Sequence, residues 1–157
     1  MKSSVEEVPQ KVESLQDEVI TLQKELAALR QQLALSAFNV ELANVEKISG
    51  IPFLATQLPN ADADTLRLMV DKFNQQYTGG TILLGSVVDD KPILISGSHV
   101  DPRFNYSAID VVKIAAEPLG GSGGGRPNLA QAGGKYPEKM SEAIEKAKVW
   151  IRSRLSK

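Results

Sequence analysis

Apolar residues recur at alternating spacings of three and four over the first 33 positions of the chain. With Val5 taken as heptad position a, most positions outside a and d hold Glu, Gln, Lys, Ser or Ala. A narrow seam of this kind predicts a coiled-coil helix, which we expect to begin near Pro9 because proline fits only the first turn. The seam consists of Val5, Val8, Val12, Leu15, Val19, Leu22, Leu26, Leu29 and Leu33.

The central part of this seam is predicted to mediate oligomerisation, since an exposed apolar stripe about six turns long is otherwise an aggregation hazard. Valine at a with leucine at d favours two parallel helices, whereas leucine at the last two a positions also allows an antiparallel pair or packing within one chain. The residues assigned to oligomerisation are Val12, Leu15, Val19, Leu22, Leu26 and Leu29.

Beyond Leu33 the apolar positions change to the opposite face of the helix. Their spacing predicts that this face docks on a globular domain, and Gly50 is predicted to end the helix as a C-terminal cap. The chain is therefore divided into a helical coiled-coil segment, residues 1–49, and a globular domain, residues 50–157. The second stripe consists of Leu35, Phe38, Leu42 and Val45.

The globular part alternates strand-like and helix-like patterns. The first strand is expected to lie parallel to the second through the intervening helix, and Asp89-Asp90 to join the second and third strands as a hairpin. The result is an α/β (α+β) fold with a mixed sheet and flanking helices. In chain order the pattern predicts strand 51–57, helix 62–76, strands 81–88 and 91–96, helix 106–117, a glycine-rich loop, and a last helix from Pro137.

The segment 120–134, GGSGGGRPNLAQAGG, has glycine or alanine at nine of fifteen positions. Such residues add almost no side-chain burial, so they indicate close backbone approach or positive φ. At Gly124 we expect positive φ or direct contact between the backbone and a ligand. The segment follows a helix and places Arg-Pro where a P-loop or a Rossmann turn needs its own helix, which excludes both. Two interpretations are left: a turn whose amides contact phosphate or ribose together with polar side chains, or a loop that crosses the sheet at close range.

Composition excludes several other classes of function. The chain has no cysteine and a single histidine, His99, so neither a thiolate metal site nor a histidine-rich one is available, and we expect no cofactor. Helix capping explains the acidic loop at Asp62 and Asp64 better than metal binding does. No apolar run approaches the roughly 20 residues of a membrane span, and the absence of cysteine is compatible with a cytoplasmic protein.

Charge is distributed unevenly along the chain. Residues 135–157 carry seven Lys/Arg and three Asp/Glu, whereas the whole chain has a net charge of -1. A cationic helix directly after a loop that exposes its backbone suits a phosphate-rich partner, although a run of charge is also what a solvated helix face shows.

The glycine-rich segment resembles the signature GGxGGGRPxxAQAGG of the C-terminal domain of alanyl-tRNA synthetase, which belongs to the DHH-associated domain superfamily. The flanking sequences GIPFLATQL, TILLGSVVDDKPILI and PEKMSEAIEKAKVWIRSRL occur in that domain's order and spacing, so the resemblance covers nearly the whole chain. One departure is Ser122, where the family often has lysine.

The resemblance implies a non-catalytic module that grips the tRNA elbow, with alanine-specific tRNA as partner and the rest of the synthetase, or a second copy, on the coiled coil. A substrate-binding half of a DHH-type phosphoesterase and a coiled-coil unit without nucleic-acid binding are the alternatives. The chain is then either a C-terminal fragment or a freestanding relative. The residues assigned to tRNA are Gly121, Gly123, Gly124, Gly125, Arg126, Asn128, Gln131, Gly133, Gly134, Lys135 and Lys139.

Overall fold

The computed structural model describes residues 7–99 and 102–156. The first element is a 37-residue helix, α1 (Glu7–Ala43), so the predicted long helix is confirmed. Val5, which opens the predicted heptads, lies outside the described residues. The second stripe packs as predicted: Phe38 and Leu42 are buried in a cluster that includes residues of the globular part, and Leu35 and Val45 pack at its margin.

After α1, the described residues form one six-stranded sheet with three further α-helices. The strand order is β1-β2-β3-β4-β6-β5, and only the β2–β3 pair is parallel, which confirms the mixed sheet. The elements are β1 (Glu46–Ile48), β2 (Ile51–Pro59), α2 (Ala63–Gln76), β3 (Thr81–Val88), β4 (Lys91–Ser98), α3 (Ala108–Ala116), β5 (Gly123–Arg126), β6 (Leu129–Gly133) and α4 (Met140–Leu155), with short 3-10 turns at Pro102–Phe104 and Pro137–Lys139.

Each face of the sheet carries its own core. On one face the end of α1 and the apolar side of α2 pack on alternate residues of the central strands, for example Ile82 and Leu84. On the other face α3 and α4 pack on the intervening residues, for example Leu83 and Leu94. Strand residues alternate between the two faces, so a central strand that is covered on both sides is largely apolar, with a few buried hydroxyl side chains such as Thr81 and Ser86 in β3.

Local signals fix the ends of two helices. The Asp62 carboxylate accepts a hydrogen bond from the Thr65 backbone N–H at 2.9 Å, as the N-cap prediction requires. The side-chain and backbone hydrogen bonds from Thr65 lower the pKa of Asp62 below its ordinary value. α3 begins with a capping box, in which the Asp110 carboxylate accepts from the Ser107 backbone N–H at 2.8 Å.

Two sequence predictions about backbone form were wrong. Gly50 does not cap α1, which ends at Ala43; together with Ser49 it forms the tight turn between β1 and β2, where both residues have positive φ. The glycine-rich segment is not a loop either, because residues 123–133 form the β5–β6 hairpin at one edge of the sheet. Gly50 and Gly125 have positive φ, which glycine adopts readily, but the sequence pattern misidentified the elements that contain them.

Candidate nucleic-acid interface

The β5–β6 hairpin has two chemically different faces. Pairing places Gly123 opposite Ala132 and Gly125 opposite Ala130, and these two alanines are buried in the core that contains α3. The alternate pairs, Gly124 with Gln131 and Arg126 with Leu129, therefore project from the opposite face. α2 does not cover this second face of the hairpin near β5, so Gly124, Arg126 and Gln131 are all exposed.

A concave surface lies on this second face and has a volume of about 480 Å³. We call it the hairpin cavity. Arg67 reaches it from α2 and donates to the Gln131 side-chain oxygen at 2.6 Å, while a second Arg67 nitrogen donates to Asp64 at 2.9 Å. Two guanidinium groups thus lie beside a floor of glycine and alanine backbone. The lining residues are Arg67, Ile95, Gly124, Gly125, Arg126, Asn128, Leu129, Ala130 and Gln131.

The turn between β5 and β6 is held in place from both sides. The Pro127 carbonyl accepts the Ala108 backbone N–H at 2.8 Å, and the Asn128 carbonyl accepts the Ser98 backbone N–H at 3.1 Å. The first of these bonds ties the turn to the start of α3 and the second to the end of β4. Arg126 and Asn128 therefore project from an anchored turn rather than from a free loop.

Packing explains most of the glycines. A Cβ at Gly121 would overlap the Gly133 carbonyl oxygen and lie 2.5 Å from the Gly134 Cα, and one at Gly134 would lie 2.5 Å from the Leu119 Cβ. A Cβ at Gly123 would lie 2.5 Å from the Gln131 carbonyl oxygen. These contacts involve backbone or the base of a side chain, which cannot move aside at low cost. Close backbone approach, one of the two sequence interpretations, accounts for these three positions.

Gly124 differs from its neighbours. A Cβ there would have no atom within 4 Å, and its φ is not positive; the positive φ in this strand belongs to Gly125, at 149°. The expected positive φ at Gly124 was therefore wrong, whereas direct contact between its backbone and a ligand stays a prediction. Nothing within the described residues requires glycine at this position, so the absence of a side chain leaves the floor of the hairpin cavity bare.

The assigned residues do not all lie together. Arg126 and Asn128 are at the turn, whereas Gly121, Gly134, Lys135 and Lys139 lie beyond the opposite ends of β5 and β6. The Lys135 backbone N–H donates to the Leu119 carbonyl at 2.7 Å, and the Lys139 ammonium lies 3.4 Å from the Glu142 carboxylate. The far end is thus a second patch, separate from the hairpin cavity.

Two further residues lie close to the assigned ones. Arg67 was not identified, because it lies 64 positions from Gln131 and only the fold brings the two side chains together. Tyr136 stacks its ring on Gly120, where a Cβ would lie 2.5 Å from a ring carbon, and about half of the residue stays exposed. The glycine at position 120 therefore has a packing role.

The remaining candidates for chemistry do not form a site. His99 is exposed, and its backbone N–H donates to the Gly80 carbonyl at 3.0 Å. Among residues 7–99 and 102–156, no three or more His, Asp or Glu side chains are grouped so that they could hold a metal ion. Over the same described ranges, no helix combines the length and apolarity needed to span a membrane.

Comparison with known proteins places this chain in a family. The profile of the DHHA1 domain matches residues 50–153, and the chain belongs to the DHHA1 domain family. Within that family it is similar to the crystal structure of the C-Ala domain of Aquifex aeolicus alanyl-tRNA synthetase. The TM-score is 0.60 and the sequences are 26% identical, over 72% of this chain and 98% of the other.

Curated sequences agree with this structural likeness. An alanine–tRNA ligase from Bacillus velezensis is 40% identical over 154 residues, which are 98% of this chain and 18% of the ligase. Another from Idiomarina loihiensis is 40% identical over 114 residues, or 73% of this chain and 13% of the ligase. The chain therefore spans less than a fifth of the length of these relatives.

Proposed function

We propose that this protein is a tRNA-binding module that recognises the tRNA elbow through the hairpin cavity and has no catalytic centre of its own. The observation that supports this most directly is the pair of guanidinium groups, Arg67 and Arg126, beside a glycine floor with no side chain at Gly124. By similarity to the alanine–tRNA ligases, the substrate is alanine-specific tRNA in the cytoplasm. The module supports aminoacylation and editing that other domains carry out.

The chemistry of the cavity suits an RNA backbone. Arginine offers a planar, permanently charged fork that matches phosphate, and a surface without side chains lets the ligand approach the strand closely. Structured RNA presents phosphates, 2′-hydroxyls and, at a loop-loop corner, a flat stacked base pair. A concave surface with fixed cations at its rim fits such a corner better than it fits the shallow groove of a regular duplex.

Arg126 provides the first test. Arg126→Gln removes one phosphate contact, so we expect tRNA affinity to fall about tenfold at low salt and the slope of log K against log salt to decrease by about 0.7 to 0.9. Filter binding with labelled tRNA over a range of salt concentrations measures both quantities. Lys91→Gln is the matched control, since Lys91 is exposed on the same sheet but at the opposite end from the β5–β6 turn.

The choice of RNA distinguishes elbow recognition from general attraction. Wild-type protein should bind tRNA more tightly than an RNA duplex of equal length that lacks an elbow, and Arg126→Gln should reduce this preference. Equal affinity for both RNAs would contradict elbow recognition. Absence of any tRNA binding would instead favour a coiled-coil unit that does not bind nucleic acid.

We also propose that the seam of α1 binds a second copy of the chain. The side chains of its central part, from Val12 to Leu29, are well exposed, from 47% at Leu26 to 60% at Leu15. Valine at positions 12 and 19 with leucine at 15 and 22 favours a parallel pair. If the protein is monomeric, the seam is instead covered by other parts of the synthetase.

A further inference from the structure

One end of the sheet gathers turns that are distant in sequence. β2 and β3 begin there, β4 ends there at Ser98, and Asn128 of the β5–β6 turn accepts the Ser98 backbone N–H. The Ser49 hydroxyl of the β1–β2 turn donates to the Leu155 carbonyl at 2.7 Å, which brings the end of α4 to the same place. This end therefore extends from the hairpin cavity to the last turn of α4.

Three adjoining cavities run along this end. Asn128 lines both the hairpin cavity and a middle cavity of about 430 Å³. Asn105, a residue with positive φ, lines both the middle cavity and a third one of about 500 Å³, which we call the Arg154 cavity. The Arg154 cavity is lined by Ser49, Arg103, Phe104, Asn105 and Arg154.

The two arginines of the Arg154 cavity are oriented by aromatic rings. The Arg154 guanidinium carbon lies 4.9 Å from the centre of the Trp150 ring, and that of Arg103 lies 5.3 Å from the centre of the Phe104 ring. Trp150 in turn contacts the edge of Tyr106, with 5.6 Å between ring centres. Stacking on Trp150 restrains the Arg154 guanidinium, so a phosphate contact would cost it little further side-chain entropy.

We propose that the Arg154 cavity binds a second phosphate group of the same RNA that occupies the hairpin cavity. This inference rests on the proposed function, because it extends the RNA path from one cavity to the other. Four strand spacings separate β5 from β2, so the two contacts are at least about 19 Å apart, with Arg67 on the α2 side of the sheet and Arg154 on the α4 side. The path runs along the end of the sheet that carries both pairs of arginines.

The middle cavity explains why the contacts form at the two ends of the path. Asp110 lines it, and a carboxylate disfavours a phosphate beside it. Its other polar side chains, among them Asn105, Ser107 and Asn128, are neutral and suit ribose hydroxyls or base edges. Cationic groups at both ends, with one carboxylate and several neutral groups between them, match a nucleic-acid strand that bridges the middle rather than a single small anion.

Trp150 provides a local reporter, since it is the only tryptophan of the chain. Titration of the wild-type protein with tRNA should change its tryptophan fluorescence, with a midpoint that agrees with filter binding. Arg154→Gln should weaken tRNA binding about five- to tenfold at low salt and lower the salt slope by about 0.7 to 0.9. Circular dichroism and thermal melting verify that the variant is folded.

Arg152→Gln is the matched control. It removes the same charge two residues away on α4, but the Arg152 guanidinium pairs with Glu46 at 3.1 Å and does not line the cavity. Its tRNA affinity should stay within about twofold of wild type. This result would distinguish a direct contact at Arg154 from attraction by the overall positive charge of α4. Arg126→Gln should shift the midpoint of the fluorescence titration without reducing its final amplitude.

The outcomes distinguish the two proposals. Loss of binding in Arg126→Gln, with wild-type binding in Arg154→Gln and unchanged fluorescence, would overturn the second contact and leave the proposed function intact. If wild-type protein does not bind tRNA, both fail. Inorganic phosphate is the last probe. Suppose that phosphate causes a saturable fluorescence change that Arg154→Gln abolishes, and that Arg154→Gln leaves tRNA affinity unchanged. This result would assign the Arg154 cavity to a small phosphorylated ligand and would overturn the RNA contact.

Discussion

The β5–β6 hairpin and the seam of α1 are both exposed, but they expose opposite kinds of surface. The seam presents large apolar side chains, such as Leu22 at 56% exposure, whereas the hairpin presents glycine backbone with arginine at its turn. Water solvates polar backbone well, so the hairpin is stable without a partner. Burial of the seam would gain about 25 cal/mol for each Å² of apolar area. Of the two surfaces, the seam is therefore the one that provides a hydrophobic driving force for self-association.

This difference shows that the chemical character of an exposed surface, and not its exposure alone, indicates which partner it binds. An apolar seam favours a partner of matching shape and is insensitive to salt, whereas a cationic concave surface favours a phosphate ligand and weakens as salt rises. The two regions should therefore respond independently to mutation. Three variants test this independence. The first tests whether the fold requires the close backbone packing of the hairpin.

Gly121→Val should have the largest effect on stability. The new side chain would overlap the Gly133 carbonyl oxygen. Movement of Gly121 would disturb the hydrogen bond from its N–H to the Ala116 carbonyl, and movement of Gly133 would disturb the one from its N–H to the Ser122 carbonyl. We expect a loss of more than about 3 kcal/mol, enough to leave much of the protein unfolded. Urea unfolding followed by circular dichroism measures it. A variant with wild-type stability would show that the hairpin tolerates a different backbone path.

Replacement of Leu22 and Leu26 by Asp should abolish self-association without unfolding the globular part. Two buried carboxylates per helix would oppose helix pairing, so we expect a dimer to become a monomer at micromolar concentration in equilibrium sedimentation. Leu68→Asp with Val149→Asp is the matched control, because both residues are exposed outside the seam. Affinity for tRNA per chain should stay close to wild type, and its loss would show that the two surfaces are coupled.

The sequence predicted some parts of these surfaces better than others. The heptads, the N-cap at Asp62 and the parallel β2–β3 pair follow from local patterns, and the structure has them. The hairpin was predicted as a loop because strand propensity reflects side-chain packing, and glycine has no side chain to pack. Here the strand exists because β6 and α3 hold it from two directions.

The candidate site was predictable only in part, for a related reason. Arg126 and Asn128 belong to a recognisable motif, but Arg67 enters the hairpin cavity from α2, and no local pattern indicates which of its exposed side chains will face β6. Positive φ was likewise expected at Gly124 and found one residue later, at Gly125. The register of strand pairing decides which glycine takes this conformation, because a shift of one residue exchanges the two faces of a strand. Register depends on tertiary contacts, which the local sequence does not show.

Gly124→Val should have the smallest effect on the fold. It separates the structural role of the hairpin from its proposed role in RNA binding. The added side chain meets no atom within 4 Å, and valine favours strands, so the free energy of unfolding should change by less than about 1 kcal/mol. The same side chain would cover the floor of the hairpin cavity between Arg67 and Arg126. If RNA approaches the backbone there, tRNA affinity should fall about tenfold by steric exclusion while the salt slope stays nearly constant, because no cation is lost.

That combination distinguishes Gly124 from the residues around it. Gly121→Val should lose the fold, Arg126→Gln should lose affinity together with salt dependence, and Gly124→Val should lose affinity alone. Filter binding at several salt concentrations, with unfolding curves on the same samples, measures all three. Wild-type affinity in a folded Gly124→Val protein would mean that no ligand approaches this strand, and tRNA binding would then have to be sought at the far patch of Lys135 and Lys139.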